Sequence, residues 1–282
     1  MLISLALVYV GLCLLIGIRQ RQLIYFPPKL SAAEVQPYAS ANHLRPWTNA
    51  AGVRIAWWRP AVGRTAASAR GIVLLTHGNA GSAAGREYLF DPIQAAGAID
   101  VVVLEYPGYA DRPGEPTQIT LCAAANELFV AVTNRWPAVP VFLVGESLGT
   151  GVTSFLAGAH PASVGGVLLL APYNNLSAAS AAHFPWLPVS WLLQDKYPSD
   201  QWLHNYRGPL GVVLGEFDRT IPARLGHSLY AGYAGPKRLW TFPVDHYEAC
   251  QRPSAWWREA LDFLRATSPL PDPKRSVPLP EP

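Results

Sequence analysis

The chain has 282 residues, half of them hydrophobic and 15% charged, which excludes a disordered chain and supplies enough core for one large domain. The formal net charge of +3 is mild and no Lys/Arg cluster forms a stripe, so nucleic-acid binding is not expected. The three cysteines, Cys13, Cys122 and Cys250, share no C-x-x-C spacing, which argues against a disulfide framework.

Residues 1–18 carry no charged side chain, at the short end of the roughly 20 residues that cross a bilayer. The apolar character continues past Arg19 and Arg21 into Leu23-Ile24-Tyr25-Phe26. No basic stretch opens this run beyond the amino terminus, and no small-x-small cleavage site comes after it. Leu12 is too large to precede a lipidated Cys13. The expectation is an uncleaved single-pass anchor over residues 1–21. Arg19, Arg21 and Lys29 favour the cytoplasmic side for the domain after the anchor.

Short apolar runs then alternate with helix-compatible segments. Residues 53–58 read as a strand, 62–68 as a loop, and 71–76 as a buried parallel strand. A helix over 86–96 leads to a strand over 100–105. A helix over 117–135 carries the stripe Leu121, Ala124, Ala125, Leu128, Val132. Strands are expected over 139–144, 166–170, 210–214 and 238–242, with helices over 150–159 and 254–266. This alternation argues for an α/β domain with a mostly parallel central sheet flanked by helices, over residues 22–266. Residues 173–207 break the rhythm with Phe184-Pro185-Trp186-Leu187-Pro188 and Trp191-Leu192-Leu193. They read as a small helical insertion that lines a pocket, serves as a lid, or simply packs on the sheet. The Pro-rich tail, 267–282, is expected to be disordered or extended.

The chemistry is carried by Gly145-Glu146-Ser147-Leu148-Gly149. A G-x-S-x-G between a strand and a helix is a nucleophile elbow: the turn forces strained dihedrals on the serine, and the glycines make room for strand and helix to approach. A serine hydroxyl needs a general base, and the base needs an orienting carboxylate. In this arrangement the chain order is Ser, then acid, then His. Asp218 comes after the strand over 210–214, and His246 after the last strand, in Val244-Asp245-His246-Tyr247. Glu216 and Asp245 compete for the acid role, but Asp245 adjoins His246 and its side chain is expected to point elsewhere. The other histidines lie before the nucleophile or the acid, except His227, which falls in a helix-compatible segment after Pro222. Cys250 lies four residues after His246, but no third ligand is near, and a packed cysteine is expected in place of a metal site. An oxyanion hole is expected from the backbone N–H of Leu148 and from the loop Thr76-His77-Gly78-Asn79-Ala80-Gly81, through the main chain of Asn79.

With these motifs in place the chain resembles the α/β-hydrolases of the Bem46-like group, which includes the anchored ABHD13- and ABHD17-type serine hydrolases. The resemblance runs from Leu23-Ile24-Tyr25-Phe26-Pro27 through His77-Gly78-Asn79-Ala80-Gly81 and Glu105-Tyr106-Pro107-Gly108-Tyr109. It continues through the elbow, the insertion and Gly215-Glu216-Phe217-Asp218 with Ile221-Pro222. It implies Ser147, Asp218 and His246 as triad, and the Asn79 and Leu148 amides as oxyanion hole. The chain departs from the group's usual pattern at Val244-Asp245, where a glycine commonly precedes the histidine, and at Ala110-Asp111-Arg112, where small residues are common.

The resulting expectation is a membrane-anchored serine hydrolase that cleaves a carboxylic ester or thioester through an acyl-enzyme, without metal or organic cofactor. Its substrate would be a small-molecule or lipid ester, or an acylated membrane protein. The alternatives are a peptidase or amidase on the same scaffold and a non-catalytic anchored binding domain.

Overall fold

A computed structural model describes residues 1–61 and 71–270. The loop expected over 62–68 and most of the Pro-rich tail lie outside the described residues. Helix α1 (Leu2–Ile24) runs three residues beyond the expected end of the anchor, until Tyr25 turns into extended backbone. Helix α2 (Ala32–Ala41) is opened by a capping box between Ser31 and Glu34. The capping signal stands in the sequence, but Pro37 and the lack of an apolar stripe conceal the helix.

Strand β1 (Arg45–Thr48) is a second element that the sequence pattern does not reveal. It pairs antiparallel with β2 (Arg54–Arg59), Arg45 opposite Trp58, on the edge of the sheet where Pro46 is tolerated. The chain then alternates: β3 (Ile72–Thr76), α3 (Glu87–Ala95), β4 (Asp100–Leu104), α4 (Gln118–Arg135), β5 (Val141–Glu146), α5 (Leu148–Ala159) and β6 (Val164–Leu170). Strand β5 starts two residues later than expected and ends beside Ser147. Val139 is engaged in a turn onto the Trp136 carbonyl, and Pro140 has no N–H to offer a ladder. The insertion holds α6 (Leu176–His183) and the single-turn helices α7 (Val189–Leu192) and α8 (Ser199–Trp202). The sheet resumes with β7 (Leu210–Gly215), α9 (Ala223–Gly232) and β8 (Lys237–Phe242). Helices α10 (His246–Cys250) and α11 (Ser254–Ala266) close the domain.

Among the described residues, eight strands form one sheet in the order β1-β2-β4-β3-β5-β6-β7-β8. β2 is antiparallel to β4, and every later pairing is parallel. A parallel sheet must bury both faces, and it does. One face packs on Leu121, Leu128, Val152 and Leu225 from α4, α5 and α9. The other packs on Phe90, Ile93, Trp257, Leu261 and Leu264 from α3 and α11. The central strand β5, between β3 and β6, is buried throughout.

Strand β3 and helix α5 approach so closely that a Cβ on Gly149 would overlap the carbonyl oxygen of Thr76. Gly149→Ala is therefore expected to cost at least the ~1–3 kcal/mol typical of overpacking. Gly232→Ala, at a position with open space around it, should change stability little. Urea denaturation of the two variants checks the contrast.

Candidate active site

Ser147 sits between β5 and α5 with φ 50° and ψ −116°. That left-handed φ is costly for a residue with a Cβ, so the surroundings must hold it. Its N–H donates to the Leu170 carbonyl at the end of the adjacent β6, 2.9 Å away. A Cβ on Gly145 would lie 2.7 Å from the Cα of Thr150 and from Thr153 Oγ1. The Thr76 hydroxyl donates to the Gly149 carbonyl at 2.8 Å and pairs with the Thr153 hydroxyl at 2.7 Å, stitching β3 to α5.

The structure brings Ser147, His246 and Asp218 together. Ser147 Oγ is 3.0 Å from His246 Nε2, and His246 Nδ1 is 2.6 Å from Asp218 Oδ2. The other oxygen of Asp218 accepts the N–H groups of Thr220, at 2.8 Å, and Ile221, at 2.7 Å. Three donors thus fix the carboxylate in one orientation. The acid loop and the histidine loop are joined by backbone bonds: Glu216 N–H to the Phe242 carbonyl, 2.8 Å, and Phe217 N–H to the Val244 carbonyl, 3.1 Å. Gly215 allows that approach, because a Cβ there would lie 2.6 Å from the Val244 carbonyl.

The competing carboxylates are placed elsewhere. Glu216 is exposed. Asp245 is the N-cap of α10, its side chain accepting the Glu248 N–H at 2.9 Å. The unusual residue before His246 thus begins the short helix that carries the imidazole. The second departure from the family pattern is also structural. Buried Arg112 donates to the carbonyls of Ile55, at 3.2 Å, and Glu105, and Asp111 pairs with Arg54. His227 lies on α9 and His183 bonds the Thr220 carbonyl at 2.8 Å. Cys250 is buried, which pushes its thiol up.

Leu148 opens α5 directly after Ser147. The loop bearing Asn79 is held by its carbonyls. Tyr106 donates its hydroxyl to the His77 carbonyl and Tyr109 to the Asn79 carbonyl, both at 2.7 Å. The Phe26 N–H also reaches the Asn79 carbonyl, at 3.0 Å, and the Asn79 side chain donates to the Ile24 carbonyl at 3.0 Å. Arg86 bonds the Ala80 carbonyl.

Beneath this loop lies a buried polar cluster that sequence reasoning misses. Glu146 accepts the Tyr88 hydroxyl at 2.7 Å and the Gly78 N–H at 3.4 Å, with Arg86 3.8 Å away. Glu105 accepts the Ala83 N–H at 3.2 Å and lies 3.8 Å from His77 Nε2. Burial pushes the Glu105 carboxyl up to about 7. Burial, and then the Arg86 charge, hold His77 well below its ordinary range. His77 is therefore held neutral, so it and Glu105 do not form an ion pair. A signal is present, since Glu146 adjoins the serine and Glu105 opens Glu105-Tyr106-Pro107-Gly108-Tyr109, but only the fold shows that they lie under one loop.

The profile of a family described as serine aminopeptidase, S33, matches residues 67–209. An uncharacterised protein of Mycobacterium tuberculosis is 34% identical over 245 residues, covering 84% of each chain. The lysophosphatidylserine lipase ABHD12 of Macaca fascicularis is 29% identical over 210 residues, 68% of this chain and 51% of that protein, so the match spans about half of that relative. In fold, the Pyrococcus furiosus esterase Pf2001 superposes with a TM-score of 0.60 at 14% identity, over 86% of this chain and 97% of that one. The chain belongs to this hydrolase family, within the α/β-hydrolase superfamily, and is an enzyme of the esterase–lipase type.

The buried Glu105 carboxyl gives a stability signature. At pH below about 4.5 it is protonated folded or unfolded, and its contribution is fully present. As pH rises to about 7, the unfolded chain ionises more readily than the folded one, and that stability is lost. His77 acts in the opposite sense, and Glu105→Gln leaves it in place. Thermal melts at about pH 5 and about pH 8 should show a larger fall for the parent than for Glu105→Gln.

Proposed function

We propose that the chain is a membrane-anchored serine hydrolase that cleaves carboxylic ester or thioester bonds through an acyl-enzyme. The observation that carries this reading is the continuous line from Ser147 Oγ through His246 to Asp218, with contacts of 3.0 and 2.6 Å. With its proton on Nδ1, His246 donates to Asp218 and presents the Nε2 lone pair to the serine hydroxyl. As Oγ attacks the carbonyl carbon, the proton passes to Nε2 and the Asp218 charge stabilises the imidazolium. The Leu148 and Asn79 amides then hold the developing oxyanion. Collapse of the tetrahedral intermediate expels the alcohol or thiol, which takes the proton from Nε2. Water, activated by the same imidazole, hydrolyses the acyl-enzyme and restores Ser147.

The site residues, Ser147, Asp218, His246, Asn79 and Leu148, are proposed in these roles together. No step requires a metal or organic cofactor. A lipid ester substrate is supported by the lipase name of the ABHD12 relatives. An acylated membrane protein presents the same thioester chemistry at the same surface.

Membrane attachment is proposed through α1, the one helix among the described residues long and apolar enough to cross a bilayer. Its retention is supported by contacts that a cleaved leader would not need. Gln20 donates to the Leu192 carbonyl at 3.0 Å and accepts the Gln194 N–H at 2.7 Å, and Arg21 lies 3.3 Å from Asp195. The proposed organisation is thus an anchor over 1–21, a hydrolase domain over 22–266 with the 173–207 insertion, and a tail over 267–282. By the positive-inside rule, Arg19, Arg21 and Lys29 put the domain on the cytoplasmic side. The family description, serine aminopeptidase, favours amide hydrolysis as the second reading. Side-by-side turnover of matched ester, thioester and amide substrates separates the two.

Ser147→Ala should remove turnover of a short p-nitrophenyl ester and labelling by a fluorophosphonate, down to the ~10³–10⁴ over water that an oxyanion hole alone can leave. Unchanged turnover in a clean preparation would sink the assignment of the nucleophile.

Asp218→Asn should cost about 10⁴ in kcat, since the orienting charge is lost and the imidazole tautomer reverses. Asp245→Asn should cost little, because asparagine caps a helix as well as aspartate. Rates of both variants on one ester, with melts to establish folding, decide between the two carboxylates.

A further inference from the structure

We infer that the insertion around α7 is itself immersed in the bilayer leaflet nearest the catalytic domain, beside α1. The inference rests on the reading of α1 as a membrane span. The insertion does not merely touch α1; it climbs along it in register. Tyr25 donates its hydroxyl to Asp195 and meets the Tyr197 hydroxyl, both at 2.9 Å. One turn towards the N-terminus, Arg21 meets Asp195 and Gln20 binds the backbone at Leu192 and Gln194. Further along, Gly17 faces Leu192, and Tyr9 donates to the Trp186 carbonyl at 2.8 Å.

This register sets a depth. Arg21 and Tyr9 are separated by about 18 Å at 1.5 Å rise per residue. A hydrocarbon core is about 30 Å thick, so one leaflet spans about 15 Å. With the arginines marking the near surface, the Trp186 end of the insertion lies within the hydrocarbon of the near leaflet, deeper than Leu192. The remaining N-terminal turns of α1, uncharged and exposed, cross the far leaflet.

The composition of the insertion obeys the same depth. Residues 184–193 contain no charged side chain, and the first charges after them, Asp195 and Lys196, come at the level of Arg21. Trp191 is 89% exposed, Trp186 53% and Phe184 46%. Aromatic side chains so exposed to water would be costly, whereas hydrocarbon and its interface accept them.

The backbone is also prepared for a medium that offers no hydrogen bonds. Pro185 and Pro188 have no N–H. Leu187 donates to the Phe184 carbonyl, and Val189 to the Leu187 carbonyl. Trp191 and Leu192 donate to the Pro188 carbonyl, and Leu193 to the Val189 carbonyl. The carbonyls of Trp186 and Leu192 are taken by Tyr9 and Gln20 of α1. Two helices in water would leave such groups to solvent; here the span itself supplies the donors. The consequence is functional. His183, at the start of this apolar stretch, bonds the carbonyl of Thr220, whose N–H holds Asp218. Exposed Phe217 and Tyr247 adjoin Asp218 and His246. The immersed insertion is thus tied to the acid loop, and an exposed aromatic residue adjoins both Asp218 and His246, an arrangement suited to uptake of a long-chain substrate from the leaflet.

The test uses the full chain reconstituted in phosphatidylcholine vesicles that contain a phosphatidylcholine with a diazirine at mid-acyl chain. After photolysis, adducts are mapped by mass spectrometry. Adducts are expected on residues 184–193 as well as on α1, each roughly tenfold above those on α11, which packs on the face of the sheet opposite Tyr25. Adducts on α1 with only the α11 background on 184–193 would overturn the inference and leave the anchor standing. Background labelling of both segments would overturn the inference and the anchor together. Fluorophosphonate labelling of Ser147 in the same vesicles reports separately on the hydrolase reading.

Discussion

Everything at the site depends on one close approach, that of the β5–α5 turn against the end of β3. Ser147 can hold its positive φ only because the strand before it is clamped on both sides in the sheet and the helix after it is stitched to Thr76. The apparent weakness of a glycine-rich turn is its purpose. Any side chain at position 149 would push α5 away from β3, and the serine would relax towards ordinary dihedrals. The cost of the strained residue, on the order of 1–3 kcal/mol, is small beside the burial of the central strands that enforce it.

The second element of the site obeys a different logic. The loop carrying Asn79 has no ladder to hold it, so its carbonyls are taken by tyrosine hydroxyls, an arginine and the backbone of Phe26. The Asn79 N–H shares its peptide with the Gly78 carbonyl, which meets His77 Nδ1 at 2.8 Å, so its direction is set with that carbonyl. Burying these donors brings charge indoors, and the cluster answers by keeping His77 neutral and pushing the Glu105 carboxyl up while Glu146 takes Tyr88, with Arg86 nearby. Rigidity at the loop thus comes together with desolvation beneath it.

How much of the fold is legible in the sequence depends on the range over which each signal acts. The parallel strands and their helices can be read nearly to the residue, because a strand buried on both faces must be a short apolar run. The order of the proposed triad, Ser147, Asp218, His246, is legible because the elbow is local and the fold brings the three side chains together. β1 and α2 are not, since Pro46 and Pro37 suppress propensity and tertiary pairing overrides it. The buried cluster joins Tyr88 to Glu146 across 58 residues, and no periodicity records such a meeting. Adjacency to His246 is a weak argument against Asp245 as the acid; the physical reason is its engagement as a helix cap.

The contacts of α1 alter what the proposed anchor means for this chain. A boundary at residue 21 treats the helix as a tether, joined to the enzyme by a few residues and free to tilt. Yet Gln20, Arg21 and Tyr25 are knitted to the insertion, and Ile24 and Phe26 to the Asn79 loop. A tether needs none of these bonds, and each orders side chains at an entropic cost that only a fixed geometry offsets. On the proposed reading, then, the helix sets the angle at which the serine faces the lipid, and the proposed oxyanion donor at Asn79 is held partly by the end of the span. Membrane attachment and the shape of the site become one structural problem, in which the turn at Tyr25 is the joint that both must share.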